Sequence, residues 1–241
     1  MLWTLSKFEL KNLVRDRMTA VMILYPLLLG WLGKYLIDNQ MVEGQVLGVI
    51  AMMVSLMVGF AYGAMAGFSL LDDRDDQVLT SIRISPVPLA FYVWFKIVFI
   101  YVIAVLAGFF LMWFIGDFAL SAGEILLVSM LSSLQVPIVA FLVNAFAHNK
   151  IEGFITMKAS GFLLLLPIGS FFFLDAKEWL FSFAPGHWAG KALQYSLMRP
   201  LIDSGLMEMN LNFYQYVGIG FLYNFLLIAV IYRFFVKKND M

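Results

Sequence analysis

The chain has 241 residues, of which 62% are hydrophobic and 13% charged, and its formal net charge is zero. Soluble domains carry about a quarter charged residues, so this composition indicates a chain that lies mostly in lipid. The neutral balance gives no general attraction to nucleic acid. The absence of cysteine excludes disulfides and thiolate metal sites.

The first 17 residues predict an amphipathic helix that lies in the membrane interface. Leu2, Leu5, Leu10 and Leu13 fall roughly on one helical face, and the basic residues lie mostly elsewhere. The stretch is too short and too charged to span a bilayer. A basic leader without structure is the alternative. No small-residue cleavage site follows the first apolar run, so we expect no cleaved signal peptide.

Six apolar stretches are long enough to cross a bilayer, which takes about 20 helical residues. They lie at 18–37, 45–70, 88–115, 122–146, 153–174 and 213–235. The charged loop 71–87 separates spans two and three. The segment 175–212 mixes charges with large apolar side chains, which predicts short helices resting on the membrane surface or dipping into it. We therefore expect an all-α integral membrane protein with one transmembrane domain, 1–241.

The positive-inside rule gives the orientation. With the N-terminus in the cytoplasm, eleven of the sixteen Lys and Arg residues lie in inner segments and four in outer ones. The remaining one, Lys96, lies in the inner half of span three. Both termini and the loop 71–87 are then predicted to be cytoplasmic, and the segment 175–212 to be extracellular.

Motifs for catalysis are missing from the sequence. The string nearest to a P-loop, Gly186–Lys191, is one residue short between its glycines and lacks the following hydroxyl. His148 and His187 fall on opposite sides of the predicted membrane. We therefore expect no enzyme, no metal site and no cofactor bound by this chain.

A stripe of small residues runs along span two, at every fourth position. Such stripes let helix backbones approach closely in lipid. The stripe either packs within one monomer or faces a dimer partner or a translocation path. Its members are Ser55, Gly59, Gly63 and Gly67.

Polar residues inside spans are candidates for function. Gln135 and Asn224 either make interhelical hydrogen bonds or contact a cargo. Lys96 either extends its ammonium to the inner interface or has a specific role. No span carries a carboxylate at its middle, which disfavours an ion-coupled carrier.

The segment from Asp72 to Lys96 resembles a motif of type-2 ATP-binding-cassette exporter permeases, which reads E-R-E-x-G-T-L-E-x-L-x-x-T-P-V-S after span two. A Gly-Lys pair follows in that family about ten residues beyond the proline. The matching positions here are Asp73, Arg74, Asp75, Leu79, Ile82, Ser85, Pro86, Val87 and Lys96. The departures are Gln77, Val78, Thr80 and Phe95, and each matching acid is Asp where the family has Glu.

The resemblance implies a permease subunit in the bacterial plasma membrane, similar to drug exporters such as those for fluoroquinolones. It implies a cargo that is a drug, a peptide or a lipid-like molecule, and a second permease half, expected to be an identical chain. Two copies of a separate ATPase would carry ATP and magnesium. The residues that the resemblance assigns to ATPase coupling are Asp73, Arg74, Asp75, Leu79, Ile82 and Pro86, with Lys96 at the membrane base of span three.

The charges of the loop suit this role. A helix that starts within Asp72–Asp76 would place acids at its N-terminus, where the helix dipole favours them, and Pro86 would end it. A short rigid helix can pass on a push as rigid-body motion. A solvated loop that touches nothing is the alternative. At the level of function, the alternative is an immunity or anchor protein that binds a peptide or partner without transport.

Overall fold

Helices make up all the regular structure in the described part of the computed structural model, which covers Lys7, Glu9, Lys11 and residues 17–41, 45–116 and 120–239. The predicted interfacial helix at 1–17 lies almost entirely outside the described residues. The helices are α1 Arg17–Asp38, α2 Gln45–Asp75, α3 Val78–Arg83, α4 Leu89–Ile115, α5 Ala122–Ser133, α6 Gln135–Phe146, α7 Lys150–Ser160, α8 Phe162–Phe171, a 3₁₀ helix Ala176–Phe181, α9 His187–Asp203 and α10 Phe213–Lys238.

Six stretches of the described chain are long and apolar enough to cross a membrane: α1, α2, α4, α5–α6, α7–α8 and α10. The prediction of an all-helical membrane protein with six spans is therefore confirmed. Large apolar side chains such as Leu28, Trp113 and Phe225 are exposed on the outer faces of these helices, as expected where lipid takes the place of water.

Spans four and five each consist of two helices that meet at one residue. α5 and α6 meet at Leu134. Pro137 has no N–H to donate to the carbonyl of Ser133, which interrupts the helical hydrogen bonding at this point. α7 and α8 meet at Gly161, whose N–H is shared between the carbonyls of Met157 and Lys158. The sequence analysis treated each span as one continuous helix, and the structure adds these breaks.

Span two lies at the centre of the bundle and packs against α1, α4 and α6. Its small-residue stripe faces α5 and α6 of the same chain. A Cβ atom added to Gly59 would lie 2.3 Å from the carbonyl oxygen of Ser132, and one added to Gly63 would lie 2.9 Å from that of Gln135. The stripe therefore packs within the monomer, which is the first of the two alternatives.

We expect Gly59→Ala to destabilise the protein, because the new methyl group would collide with backbone, which cannot move aside as a side chain can. Overpacking of this kind costs about 1–3 kcal/mol. Gly218→Ala in α10 is the control, since a Cβ there meets nothing within 4 Å. Thermal unfolding in detergent measures both. Equal melting temperatures for the two variants would contradict the close contact of α2 with α5.

The polar side chains predicted inside the spans are buried and bonded. Gln135 Nε2 donates to the carbonyl of Leu56 at 3.4 Å, and Asn224 Nδ2 donates to that of Pro185 at 3.3 Å. Both residues are at most 1% exposed. In this structure Gln135 bonds to α2, and Asn224 bonds to the turn that precedes α9.

Candidate functional site

The corner between spans two and three differs from the prediction at its helix boundaries. α2 continues through Asp75, so Asp72 to Asp75 form the last turn of a membrane span. The expectation that they begin the short helix is wrong. Gln77 adopts a left-handed conformation with φ 57°, and α3 starts only at Val78. The acids therefore lie at a helix C-terminus, where the dipole disfavours them.

A buried ionic cluster explains how an acid is accommodated there. Lys96 is 1% exposed, and its Nζ lies 2.5 Å from Asp73 Oδ2 and 3.6 Å from Glu9 Oε1. Lys96 also donates to the carbonyl of Ser69 at 3.2 Å, and the hydroxyl of Tyr92 donates to Asp73 Oδ2 at 2.9 Å. Lys96 therefore has a carboxylate partner at the end of α2.

The cluster holds two carboxylates against one ammonium group. Burial raises the pKa of the Glu9 carboxyl; Lys96 opposes this effect, and the neighbouring Asp73 adds to it. Glu9 Oε1 is buried without a hydrogen bond. The contacts bring Glu9, the end of α2 and the start of α4 together at one point, which we call the Lys96 cluster (Glu9, Asp73, Tyr92 and Lys96).

Arg74 makes a second set of contacts at the same corner. Its guanidinium donates to the carbonyl of Ala147 at 3.0 Å, to that of Asn144 at 3.4 Å and to Asn239 Oδ1 at 2.7 Å. Arg83, on α3, donates to the main-chain carbonyl of Asn239 at 2.5 Å. Arg74 and Asn239 thus join the ends of α2, α6 and α10, and Arg83 joins α3 to them.

The residues predicted for ATPase coupling fall into two groups. Asp73 is buried and Arg74 half-buried, and both turn toward other spans. Asp75 and Pro86 are exposed, while Leu79 and Ile82 are partly exposed. Their assignment to an ATPase contact stays a prediction, and the geometry gives the first pair an internal role.

Sequence reasoning missed several residues of this corner. Ile84 is 89% exposed, although its place between α3 and Pro86 gave no reason to single it out. Tyr92 lies four residues before Lys96, one helical turn away, which was an available signal. Glu9 and Asn239 gave no such signal in the sequence, because their partners are distant along the chain.

The opposite end of the bundle holds a second buried ion pair. Lys191 Nζ lies 2.8 Å from Glu178 Oε2, and both side chains have 0% exposure. The hydroxyl of Tyr216 donates to Glu178 Oε1 at 2.8 Å, and Lys191 donates to Gln194 Oε1 at 2.9 Å. Burial lowers the pKa of the Lys191 ammonium group, and Glu178 opposes this effect.

His187 lies one helical turn before Lys191. Burial, together with the charge of Lys191, lowers the pKa of His187 to about 3, so its ring is neutral at ordinary pH. The ring Nδ1 lies 2.9 Å from Ser170 Oγ. Lys191 is one of the four basic residues in the predicted outer segments, and it is buried as the anchor of α9.

A cavity of about 550 Å³ lies between spans four, five and six. Its wall is apolar apart from the hydroxyls of Thr156 and Ser160. α6 contributes Ile138 and Leu142 to the wall, and α10 contributes Leu227 and Ile231. Its size is that of ordinary small-molecule sites, and it contains no charged side chain among its lining residues.

Six membrane-length spans, three of which line an apolar cavity, define a multi-pass membrane protein. The family model described as fluoroquinolones export permease protein Rv2686c-like matches residues 9–232, so the chain belongs to this family of export permeases. Two similar proteins are the fluoroquinolones export permease proteins Rv2686c and MT2760 of Mycobacterium tuberculosis (strains ATCC 25618 / H37Rv and CDC 1551 / Oshkosh). Each is 26% identical over 232 residues, which cover 92% of this chain and 83% of the relative. The predicted resemblance to drug-export permeases is confirmed.

Proposed function

We propose that the chain is the permease subunit of an ATP-driven exporter, in which a separate ATPase docks on α3. Two permease chains and two ATPase chains would form the complex, with α3 and both termini in the cytoplasm. The family assignment supports export, and the distribution of basic residues supports this orientation. We place the complex in the bacterial plasma membrane, where this orientation would put the 3₁₀ helix and α9 on the outer side.

The exposure of α3 is the observation that carries the docking proposal. None of its six residues is buried, and Ile84, directly after it, is the most exposed large apolar side chain in the described residues. In water such a side chain is a natural anchor for a partner's pocket. Asp75 and Asp76, exposed beside it, favour a partner surface with basic residues around that pocket.

The cavity suits an apolar or amphipathic cargo that enters from the bilayer. Its wall offers two hydroxyls and no charge, so it binds through apolar contact more than through ion pairing. The two relatives are named fluoroquinolones export permease proteins. A fluoroquinolone is therefore the cargo that we would test first.

Docking is tested by co-expressing the permease with a candidate ATP-binding-cassette ATPase from the same organism and measuring capture of the ATPase. Ile84→Ser is expected to weaken capture about thirtyfold, because a buried apolar anchor contributes about 2 kcal/mol at an interface. Leu206→Ser is the matched control, since Leu206 is 76% exposed at the other end of the bundle. Equal capture by both variants would contradict docking through α3.

Export is tested with the same complex in vesicles and a panel of a fluoroquinolone, an apolar dye and a hydrophobic peptide. ATP-dependent accumulation of any of these supports the proposal. If the wild-type chain captures no ATPase and moves no cargo, the chain is instead the non-transporting anchor protein considered above.

A further inference from the structure

We propose that Arg83 and Asn239 are positioning residues that pass the displacement of α3 to the last span. The inference rests on the proposed function, because it concerns how a push on α3 reaches the cavity. It adds a physical route that neither the family motif nor the sequence pattern contains.

α3 cannot hold its own position. A helix of six residues is far below the length at which isolated helices are stable in water, and none of its residues is buried. Its flanking turns connect it to α2 and α4 alone. Its placement against the rest of the bundle therefore depends on contacts made by its side chains.

One such contact leads out of the α2–α4 hairpin. Among the described residues, the bond from Arg83 Nη2 to the carbonyl of Asn239, at 2.5 Å, is the side-chain hydrogen bond that links α3 to another span. The remaining side-chain bond of α3, from Ser81 to the carbonyl of Gln77, is local. An arginine forms a charge-assisted bond here, which is stronger than a neutral one.

Asn239 is itself firmly held. Its N–H donates to the carbonyls of Phe235 and Val236, and its Nδ2 donates to that of Phe235 at 2.8 Å. Its Oδ1 accepts from Arg74, whose fork also reaches the end of α6 at Ala147. Asn239 therefore moves with α10, so a displacement of its carbonyl also displaces that helix.

α6 and α10 form two walls of the apolar cavity, through Ile138, Leu142, Leu227 and Ile231. A displacement of α3 that acted only through its flanking turns would move α2 and α4, which contribute no residue to that cavity. The contacts of Arg83 and Asn239 connect the docking helix to the cavity wall instead.

The first test needs no ATPase. In nanodiscs, Arg83→Ala is expected to speed hydrogen exchange of the amides in α3 about tenfold, since the loss of one charge-assisted bond is of this order. Lys237→Ala removes a cation from the same end of α10, where Lys237 is exposed, and should leave the exchange of α3 unchanged. Equal exchange in the two variants would overturn the proposal.

The second test uses the permease–ATPase complex in vesicles. Arg83→Ala should keep ATPase capture within about twofold and lower the cargo exported per ATP hydrolysed about fivefold, and Arg83→Lys should restore part of this loss. Loss of capture would make Arg83 a docking residue, and unchanged export per ATP would make the contact idle; either result overturns the proposal.

The two tests distinguish a failure of the proposed permease function from a failure of the positioning role. If the wild-type complex neither forms nor exports while Arg83→Ala still loosens α3, the proposed function is wrong and the contact between α3 and α10 stands. If the wild-type complex exports normally and Arg83→Ala matches Lys237→Ala in both assays, the positioning role alone is wrong.

Discussion

Lys96→Met is expected to lower the free energy of unfolding by about 3–5 kcal/mol, the usual cost of removing one partner from a buried ion pair. Methionine has nearly the length of the lysine stem, so little packing is lost. The cost arises because Asp73, 2.5 Å from the ammonium group, stays buried without a cation. Thermal unfolding and the yield of monodisperse protein in detergent measure the effect.

Two further variants separate the charge effect from a packing effect. Lys96→Met combined with Asp73→Asn should recover much of the loss, whereas Lys96→Met with Glu9→Gln should recover less, because burial already favours the neutral form of Glu9. Lys34→Met is the control: its pair with Asp38 is at 3.5 Å with the lysine side chain 29% exposed, and such pairs contribute at most about 1 kcal/mol. If Lys96→Met lowers the free energy of unfolding no more than Lys34→Met does, the result contradicts the Lys96 cluster.

Lys191→Met is expected to have a cost of similar size, about 3–5 kcal/mol, at the other end of the bundle. Glu178 would lose its cation while remaining at 0% exposure, with only the hydroxyl of Tyr216 donating to it. Because Glu178 lies on the 3₁₀ helix and Lys191 on α9, the damage should be concentrated in the segment 175–212. Limited proteolysis with mapping of the cleavage sites, alongside thermal unfolding, locates it.

Lys177→Met is a close control for this variant. Lys177 lies on the same 3₁₀ helix and pairs with Asp175 at 3.4 Å, but its side chain is 65% exposed. It should therefore unfold and resist proteolysis like the wild-type chain. Lys191→Met with Glu178→Gln should recover part of the loss, and a single Lys191→Met variant as stable as Lys177→Met would rule out a buried pair.

The number of spans was predictable because it depends on a local quantity, the length of apolar sequence. The short helix was placed too early for the opposite reason. Acids at Asp72 to Asp76 favour a helix start when they face water, but Asp73 finds Lys96 and Arg74 finds Asn239, far along the chain. Contacts with these distant partners outweigh the local preference for a helix start. A single sequence does not reveal which residues are the partners.

The glycine stripe shows the same limit in another form. Its spacing predicted that a backbone would approach α2 closely, and Gly59 and Gly63 do lie against α5 and α6. Spacing does not identify which helix approaches, so the pattern left open both packing within the monomer and a face toward a dimer partner or a translocation path.

The breaks at Leu134 and Gly161 divide spans four and five into halves that need not tilt together. At one end of the bundle the Arg199–Glu124 pair at 2.8 Å joins the half α5 to α9, and the Lys191–Glu178 pair joins α9 to the 3₁₀ helix. The halves α6 and α7 border the cavity and reach the end that carries Arg74. We therefore expect the end of the bundle beside α3 to move at these two breaks, while the end beside α9 stays fixed. Stiffening the break at Leu134 or at Gly161 should hold the cavity at one width.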